Sequence, residues 1–216
     1  MGKPKIAIIG GTGKEGRGLT LRWASAGYEI LIGSRQAEKA GQAAEEINQR
    51  LSITTILGME NSEAIKNADI CVLTVIQSAH LQILENLKEI LQGKILVDAT
   101  VRVDFRDPRP PDPPSAAQQA QEVLGPGVRI VAAFQNIPAK ALSIAIEEPI
   151  KADVLVCSDD IEAAEQVIQL VNDAGMRGFY AGILANANVV EGLTSILISM
   201  NKYYGIKDSR IIVSGI

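Results

Sequence analysis

Apolar runs and amphipathic segments alternate along most of the chain, and this pattern predicts an α/β protein. A continuous apolar run at 6–10 is typical of a strand buried on both faces. The next segment repeats apolar residues at helical intervals, with Leu19, Trp23 and Ala26 on one face. Because the same succession recurs downstream, we predict a doubly wound, mostly parallel sheet with right-handed crossovers and a small C-terminal helical extension.

The same periodicities give approximate bounds for the remaining elements. Further strands are predicted at 28–32, 53–57, 69–75, 94–99, 129–134, 153–157 and 176–180. Further helices are predicted at 36–49, 61–66, 78–91, 115–124, 161–174 and 186–204. The proline-rich segment 106–114 predicts an exposed loop at the border of a cleft, because proline lacks an N–H and fixes φ.

Three glycines between the first strand and the first helix predict a dinucleotide site. Gly11, Gly13 and Gly16 follow the G-x-G-x-x-G spacing of a Rossmann-type turn. In such a turn the first glycine permits the bend, the second admits a pyrophosphate and the third allows close helix–strand packing. Since the free N–H groups and dipole of a helix N-terminus favour an anion, the adjoining Thr12, Lys14 and Glu15 are also candidate cofactor-binding residues.

The residues after the second predicted strand favour NADP over NAD. An NAD site usually places an acid here to bind the ribose hydroxyls, whereas this chain has Ser34, Arg35 and, one helical turn later, Lys39. A guanidinium can bind a 2′-phosphate through paired charge-assisted bonds. The competing interpretation is a solvated basic helix start, a position where acids are normally preferred.

These residues resemble a known family, the NADP oxidoreductases that depend on the deazaflavin coenzyme F420. The resemblance rests on GGTGKEG at 10–16 and GSRQAEKA at 33–40. Downstream it rests on ADICVLTV at 68–75, NIPA at 136–139, VCSDD at 156–160 and ANANVVEGLTSILI at 185–198. It spans nearly the whole chain and implies NADP and coenzyme F420 as the two cofactors, with hydride transfer between them.

Two further segments are candidates for the cofactor sites because ligands of open α/β sheets lie beyond the carboxyl ends of the strands. Thr74, Val75 and Ile76 follow the fourth strand and are expected beside the nicotinamide. Gln135, Asn136, Ile137 and Pro138 follow the sixth strand. The resemblance places this second loop against the deazaflavin, and one family member has a histidine where Gln135 stands. We expect the acceptor cleft to lie between both segments and residues near Asn186.

Composition excludes several other classes. The net charge of −4 gives no footprint for nucleic acid or an anionic membrane, and the 4% of aromatic residues offer few stacking platforms. The chain has no long apolar run and no signal peptide, which predicts a cytoplasmic protein. Cys71 and Cys157 lie in apolar runs and are expected to be free, buried thiols rather than a disulfide.

The chemistry expected is hydride transfer without an assigned catalytic acid or base and without a metal. The single histidine, His80, is interpreted as a surface or helix-face residue, and it has no partners at metal-ligand spacing. Two alternatives stay open: an NADPH-dependent reductase of another acceptor (a flavin, a ferric chelate or an imine), and a non-enzymatic NADPH-sensing module.

The expected organisation is an NADP-binding domain at 1–150 followed by a small α/β segment at 151–216. The second segment would complete the cleft for the planar deazaflavin or flavin-like acceptor. Its last predicted helix carries a wide apolar stripe, which is typical of core or of a homodimer interface.

Overall fold

The computed structural model describes residues 2–216 and has the predicted α/β architecture. The strands are β1 Ile6–Ile9, β2 Ile30–Ser34, β3 Ile56–Glu60, β4 Ile70–Leu73, β5 Ile95–Asp98, β6 Arg129–Ala132, β7 Asp153–Val156 and β8 Arg177–Tyr180. The helices are α1 Lys14–Ser25, α2 Ala37–Leu51, α3 Asn61–Lys66, α4 Gln77–Leu91, α5 Ala116–Leu124, α6 Ala139–Ser143, α7 Ile161–Asp173 and α8 Ala187–Tyr204, with a 3-10 turn at Leu184–Asn186.

Six strands form one fully parallel sheet in the order β3-β2-β1-β4-β5-β6. The order reverses between β1 and β4, where Ile9 lies opposite Leu73. This is the point at which open α/β sheets bind their ligands. The predicted fold class is therefore confirmed.

Side chains of β1 alternate between the two faces of the sheet and divide the core into two layers. Ile6 and Ile8 pack with α1, α2 and α7, whereas Ala7 and Ile9 pack with α3, α4, α5 and α8. Because both faces are covered by helices, β1, β2 and β4 are buried throughout, which explains the apolar runs in their sequences.

The C-terminal part attaches to the β6 edge of this sheet. Strands β7 and β8 form a separate parallel pair, joined to β6 by an antiparallel bridge between Ala132 and Cys157. The chain end returns to β7, where Val213 N–H donates to Asp153 Oδ2 at 2.6 Å. Among the helices of residues 2–216, none is both long and apolar enough to cross a bilayer.

Strand β2 lies two residues later than predicted, at Ile30–Ser34, and two other elements differ more. Strand β3 lies three residues later than predicted, because Ile56 pairs with Ile30 and the strand runs on to Glu60. Helix α6 was not predicted. It is held by the buried Arg22, whose guanidinium donates to the carbonyls of Leu142 at 3.0 Å and Ile144 at 2.8 Å.

Candidate functional site

The glycine turn joins β1 to α1 in the way the spacing predicts. Gly16 packs so closely under the turn that a Cβ there would lie 2.6 Å from Gly11 Cα. The N–H of Gly11 is shared between two acceptors, the carbonyls of Ile8 and Gly33. By contrast, a Cβ on Gly13 would meet nothing closer than Gly10 O at 3.6 Å. The turn is therefore tightly packed on the side of Gly11 and Gly16 and open on the side of Gly13.

This open side faces a cavity of about 510 Å³, the glycine-turn cavity. Gly13 is the N-cap of α1, so no side chain blocks the free N–H groups of its first turn. An anion such as a pyrophosphate fits this position because the N–H groups and the helix dipole point toward it. The candidate residues that line the cavity are Thr12, Gly13, Ser34, Arg35, Thr74, Val75 and Ile76.

Among the candidates from the glycine turn and the end of β2, four do not line this cavity and a fifth lines a second cavity, described below. Gly11 and Gly16 are buried beneath the turn, where they shape it. Lys14 and Lys39 are exposed in the first turns of α1 and α2, outside the lining. Glu15 points to the second cavity.

Sequence reasoning missed Glu60 and Asn61, which both line the glycine-turn cavity. Asn61 Oδ1 accepts a hydrogen bond from Gly10 N–H at 3.3 Å and so supports the turn from α3. Both residues stand at the carboxyl end of β3. The carboxyl-end rule would have found them had β3 been placed in its true register.

A second cavity of about 480 Å³, the Gln135 cavity, lies beside the ends of β5 and β6. Ala99 after β5 is bonded to the neighbouring strand, its N–H donating to Leu73 O at 3.1 Å. Since adjacent strands lie about 4.8 Å apart, the ends of β4 and β5 bring the two cavities close together. The lining includes Glu15, Ala99, Phe105, Gln135, Asn136, Ile137, Pro138, Thr194, Leu197, Ile198 and Asn201.

The far wall of the Gln135 cavity differs from the expected one. We predicted residues near Asn186, at the start of α8, but that side chain donates to Ala181 O and lies outside the lining. The wall comes instead from the second half of α8 and from 206–209.

Thr74, Val75 and Ile76 were also expected to border the acceptor cleft, but they line the glycine-turn cavity. The proline-rich segment is irregular as predicted, and Phe105 just before it borders the cavity.

The loop that carries Gln135 and Asn136 is fixed by hydrogen bonds. Gln135 Nε2 donates to Asp98 O at 2.8 Å, and Asn136 Nδ2 donates to Val190 O at 3.0 Å. The preceding Phe134 has a positive φ of 76° and packs edge-on against Trp23. This strained turn is held by the surrounding core.

Two amide oxygens in this loop are buried and unpartnered. Gln135 Oε1 and Asn136 Oδ1 have no hydrogen-bond donor within residues 2–216. A buried acceptor without a donor is costly, and both residues line the cavity. They therefore fit a ligand that presents N–H groups. The apolar side chains of Ile137 and Leu197 fit the body of a planar ring.

Glu15, Asp98 and Glu191 form a cluster of acids beside the Gln135 cavity, in which the side chains of Asp98 and Glu191 are fully buried. His80 Nε2 is 2.6 Å from Asp98 Oδ2, and both side chains are almost fully buried. The interpretation of His80 as a surface residue is therefore wrong. Asp98 Oδ1 also accepts from Thr100 N–H at 2.9 Å. Burial, together with the charge of Asp98, raises the pKa of Glu15 to about 8.

Glu191 of α8 completes this cluster. Its carboxylate accepts from Arg102 Nε at 3.1 Å and from the N–H of Ala116. Burial raises the pKa of Glu191, although these two donors act in the opposite direction.

Cys71 and Cys157 are free and buried, and burial raises the pKa of both thiols, to about 12 and about 11. Neither thiol lines either of the two cavities.

A glycine turn at the switch point of a parallel sheet, with a second cavity at the next strand ends, defines a dinucleotide-dependent oxidoreductase. Residues 5–102 match the family model described as NADP oxidoreductase, coenzyme F420-dependent. The F420-dependent NADP reductases of Methanothermobacter marburgensis and Methanothermobacter thermautotrophicus are 38% and 40% identical to this chain. Each alignment covers 98% of this chain, with 99% and 95% of the respective relative. The chain belongs to this family.

A solved structure confirms the fold over the whole chain. A protein from Arthrobacter sp. FB24 superposes with a TM-score of 0.82 at 24% identity, covering 99% of this chain and 100% of its own. The likeness extends through 151–216, so the arrangement of the C-terminal segment is shared as well as that of the six-stranded sheet.

Proposed function

We propose that this protein transfers a hydride between NADP(H) in the glycine-turn cavity and coenzyme F420 in the Gln135 cavity. The observation that carries the proposal is the placement of two cavities at the ends of the adjacent strands β4 and β5. Hydride transfer needs two rings held at near-contact distance and shielded from water. The family relationship supports this pair of cofactors and does not favour the alternative acceptors or a sensor.

The choice of NADP rests on the polar residues at the end of β2. Arg35 and Ser34 line the glycine-turn cavity, where a 2′-phosphate would be expected. The Ser34 hydroxyl accepts from Gln36 N–H at 3.2 Å and keeps its own proton for a further acceptor. Glu60 also lines this cavity, so Arg35 must outweigh its negative charge at the phosphate.

In the Gln135 cavity, the loop residues would bind the acceptor by its polar edge. The amide nitrogens of Gln135 and Asn136 are already engaged with backbone carbonyls, so their free oxygens would accept from N–H groups of the deazaflavin. Ile137, Pro138 and Leu197 would contact its ring. The division into an NADP-binding part at 1–150 and a segment at 151–216 that completes the acceptor cleft is part of this proposal.

The proposal also includes a cytoplasmic homodimer with no nucleic-acid or membrane partner. Support for the dimer comes from apolar side chains exposed on α8, where Val189 is 66% and Ile196 50% exposed. The chain end adds the exposed Ile212 and Ile216. Sedimentation equilibrium of the wild type and of Ile196→Glu tests this interface: the wild type should be dimeric and the variant shifted toward monomer.

An acceptor panel tests the function itself. Purified protein with NADPH should reduce coenzyme F420, measured by loss of its absorbance, and should reduce free flavin, ferric chelates and cyclic imines far more slowly. Faster turnover of any of these other acceptors would contradict the proposed acceptor. Absence of turnover with every acceptor would contradict an enzymatic role.

A further inference from the structure

Glu15 is a carboxyl group to which hydride transfer gives no role, although it lines the Gln135 cavity. It is the second residue of α1 and faces this cavity together with Ala99 and Gln135. Its neighbours Thr12 and Gly13 line the glycine-turn cavity instead. The residues just before α1 therefore line one cavity, and Glu15 in its first turn lines the other.

No other carboxyl group lines the Gln135 cavity within residues 2–216. The other charged residues in the lining are Lys202 and Lys207 at the C-terminal side, and Lys202 Nζ donates to Arg106 O at 2.8 Å. Behind Glu15 lies the Asp98–His80 pair, contributed by β5 and α4. Glu191 and its partner Arg102 lie further along the same acid cluster.

These surroundings favour the protonated form of Glu15. Burial is the main cause and the charge of Asp98 the second, and together they bring its pKa to about 8. The N-terminus of α1 acts in the other direction because its dipole favours a carboxylate. A pyrophosphate bound at that N-terminus would add negative charge beside Glu15 and raise its pKa further.

We propose that Glu15 is the proton donor of this enzyme, giving its carboxyl proton to a ring nitrogen of the deazaflavin acceptor as the hydride arrives. This inference rests on the proposed function. NADPH supplies both electrons as a hydride, so one C–H bond breaks and another forms. The Glu15 O–H bond breaks and an acceptor N–H bond forms. The carboxylate then regains a proton from solvent, so that NADPH, oxidised acceptor and one proton give NADP⁺ and reduced acceptor.

The surroundings of Glu15 suit the role of a proton donor. A general acid works best when its pKa lies near the working pH, and burial together with the charge of Asp98 brings the pKa of Glu15 into that range. Asp98 is a positioning residue rather than a catalytic one. Its charge adds to the larger effect of burial in raising the pKa of Glu15, and His80 holds Asp98 in place.

Infrared spectroscopy tests the proton on Glu15 without any turnover. The wild type without cofactors should show a carboxylic-acid C=O band at pH 7 that is missing in Glu15→Gln. The comparison of the two proteins removes the contribution of Glu191. Glu162→Gln is the matched control, because Glu162 is also the second residue of its helix but is exposed. A wild-type band that Glu15→Gln leaves unchanged would overturn the proposal.

Single-turnover kinetics test the transfer. Reduction of F420 by bound NADPH should slow about 10²- to 10⁴-fold in Glu15→Gln, with NADPH affinity unchanged and partial recovery in Glu15→Asp. Because bound NADPH would raise the pKa of Glu15 above its cofactor-free value of about 8, the wild-type rate should fall only at a pH above that value. It should also show a solvent deuterium effect, and both features should be lost in Glu15→Gln. An unchanged rate and pH profile in Glu15→Gln would overturn the proton-donor role while leaving the proposed function intact. If the wild type fails to reduce F420 at all, the proposed function and this role fall together, even where the infrared band is present.

Discussion

His80 Nε2 lies 2.6 Å from Asp98 Oδ2 in the interior of the protein, where both side chains are almost fully buried. Asp98 stands at the end of β5, and its charge is felt by Glu15. The pair therefore links the edge of the sheet to Glu15, which faces the Gln135 cavity.

Removing the charge of Asp98 should lower the pKa of Glu15. In Asp98→Asn, the infrared band of the protonated Glu15 carboxyl should titrate at lower pH than in the wild type, because one of the two causes of the raised pKa is gone. Asp104→Asn, at an exposed loop position, should leave the titration unchanged. If the midpoint in Asp98→Asn stayed at the wild-type value, the electrostatic link between these residues would be wrong.

The raised pKa of Glu15 should also make the stability of the protein depend on pH. The folded state keeps the proton of Glu15 up to about pH 8, whereas the unfolded chain loses it near 4.5. The unfolded state therefore binds fewer protons between these values, and the stability contributed by this group decreases as pH rises through the window.

Thermal unfolding measures this effect. Glu15→Gln should have a higher Tm than the wild type at pH 9, and the difference should shrink toward pH 5. Glu162→Gln should show no such pH-dependent difference. A Tm difference that is the same at both pH values would point to a packing effect instead of a proton.

Two of the three glycines of the turn, Gly13 and Gly16, should respond differently to substitution. Gly13 has φ −73° and an open Cβ direction, so Gly13→Val should fold normally and lose NADPH binding, because its side chain would occupy the pyrophosphate space. Gly16→Ala should lower the Tm, since its Cβ would come 2.6 Å from Gly11 Cα. Thermal unfolding and an NADPH fluorescence titration of both variants check this. Normal NADPH binding by Gly13→Val would make the turn purely structural.

Arg35 should decide between NADPH and NADH. Arg35→Ala should lose a charged hydrogen bond of about 1.5–3 kcal/mol, roughly ten- to a hundredfold in NADPH affinity, with NADH affinity little changed. Lys39→Ala should have the smaller effect because Lys39 lies outside the lining of the cavity. Arg50→Gln, further along α2, is the control. Equal affinities of the wild type for the two cofactors would contradict this account of selectivity.

Phe105 offers a direct probe of the acceptor site. It is 65% exposed and lines the Gln135 cavity, so Phe105→Ala should raise the KM for F420 without changing NADPH affinity or Tm. Ile137 is a poorer probe. It is only 7% exposed and belongs to the core, so a charge there would also destabilise the fold. Ile161→Ala, at an exposed position on α7, is the control. If Phe105→Ala weakened NADPH binding instead, the assignment of NADPH and F420 to the two cavities would be wrong.

Local sequence signals were sufficient for the elements that are buried on both faces or capped by their own residues. Strand β1 and its turn follow directly from an apolar run and three spaced glycines. Helix α5 starts at Ala116, directly after its N-cap Ser115, and Ser115 and Gln118 form a reciprocal capping box. These features depend on neighbours along the chain, so the sequence alone reveals them.

Tertiary contacts decided the rest. The β3 register depends on Gly58, where a Cβ would lie 2.1 Å from the Ala40 carbonyl carbon, and the partly exposed strand gave only a weak pattern. The burial of His80 depends on Asp98, which is eighteen residues away on another element. Glu15 was predicted as part of the glycine turn, but its direction toward the second cavity depends on how α1 packs.

The most direct test of the two-cavity account is the fate of the transferred hydrogen. Protein loaded with NADPH that carries deuterium at the transferable C4 position should pass that deuterium to F420 in one turnover, in ordinary water, and the label should be retained at the reduced ring carbon. Direct transfer of the label requires both rings to be bound at the same time, as the two adjacent cavities would allow. Loss of the label to solvent, or reduction that needs NADP⁺ to leave before F420 binds, would contradict it.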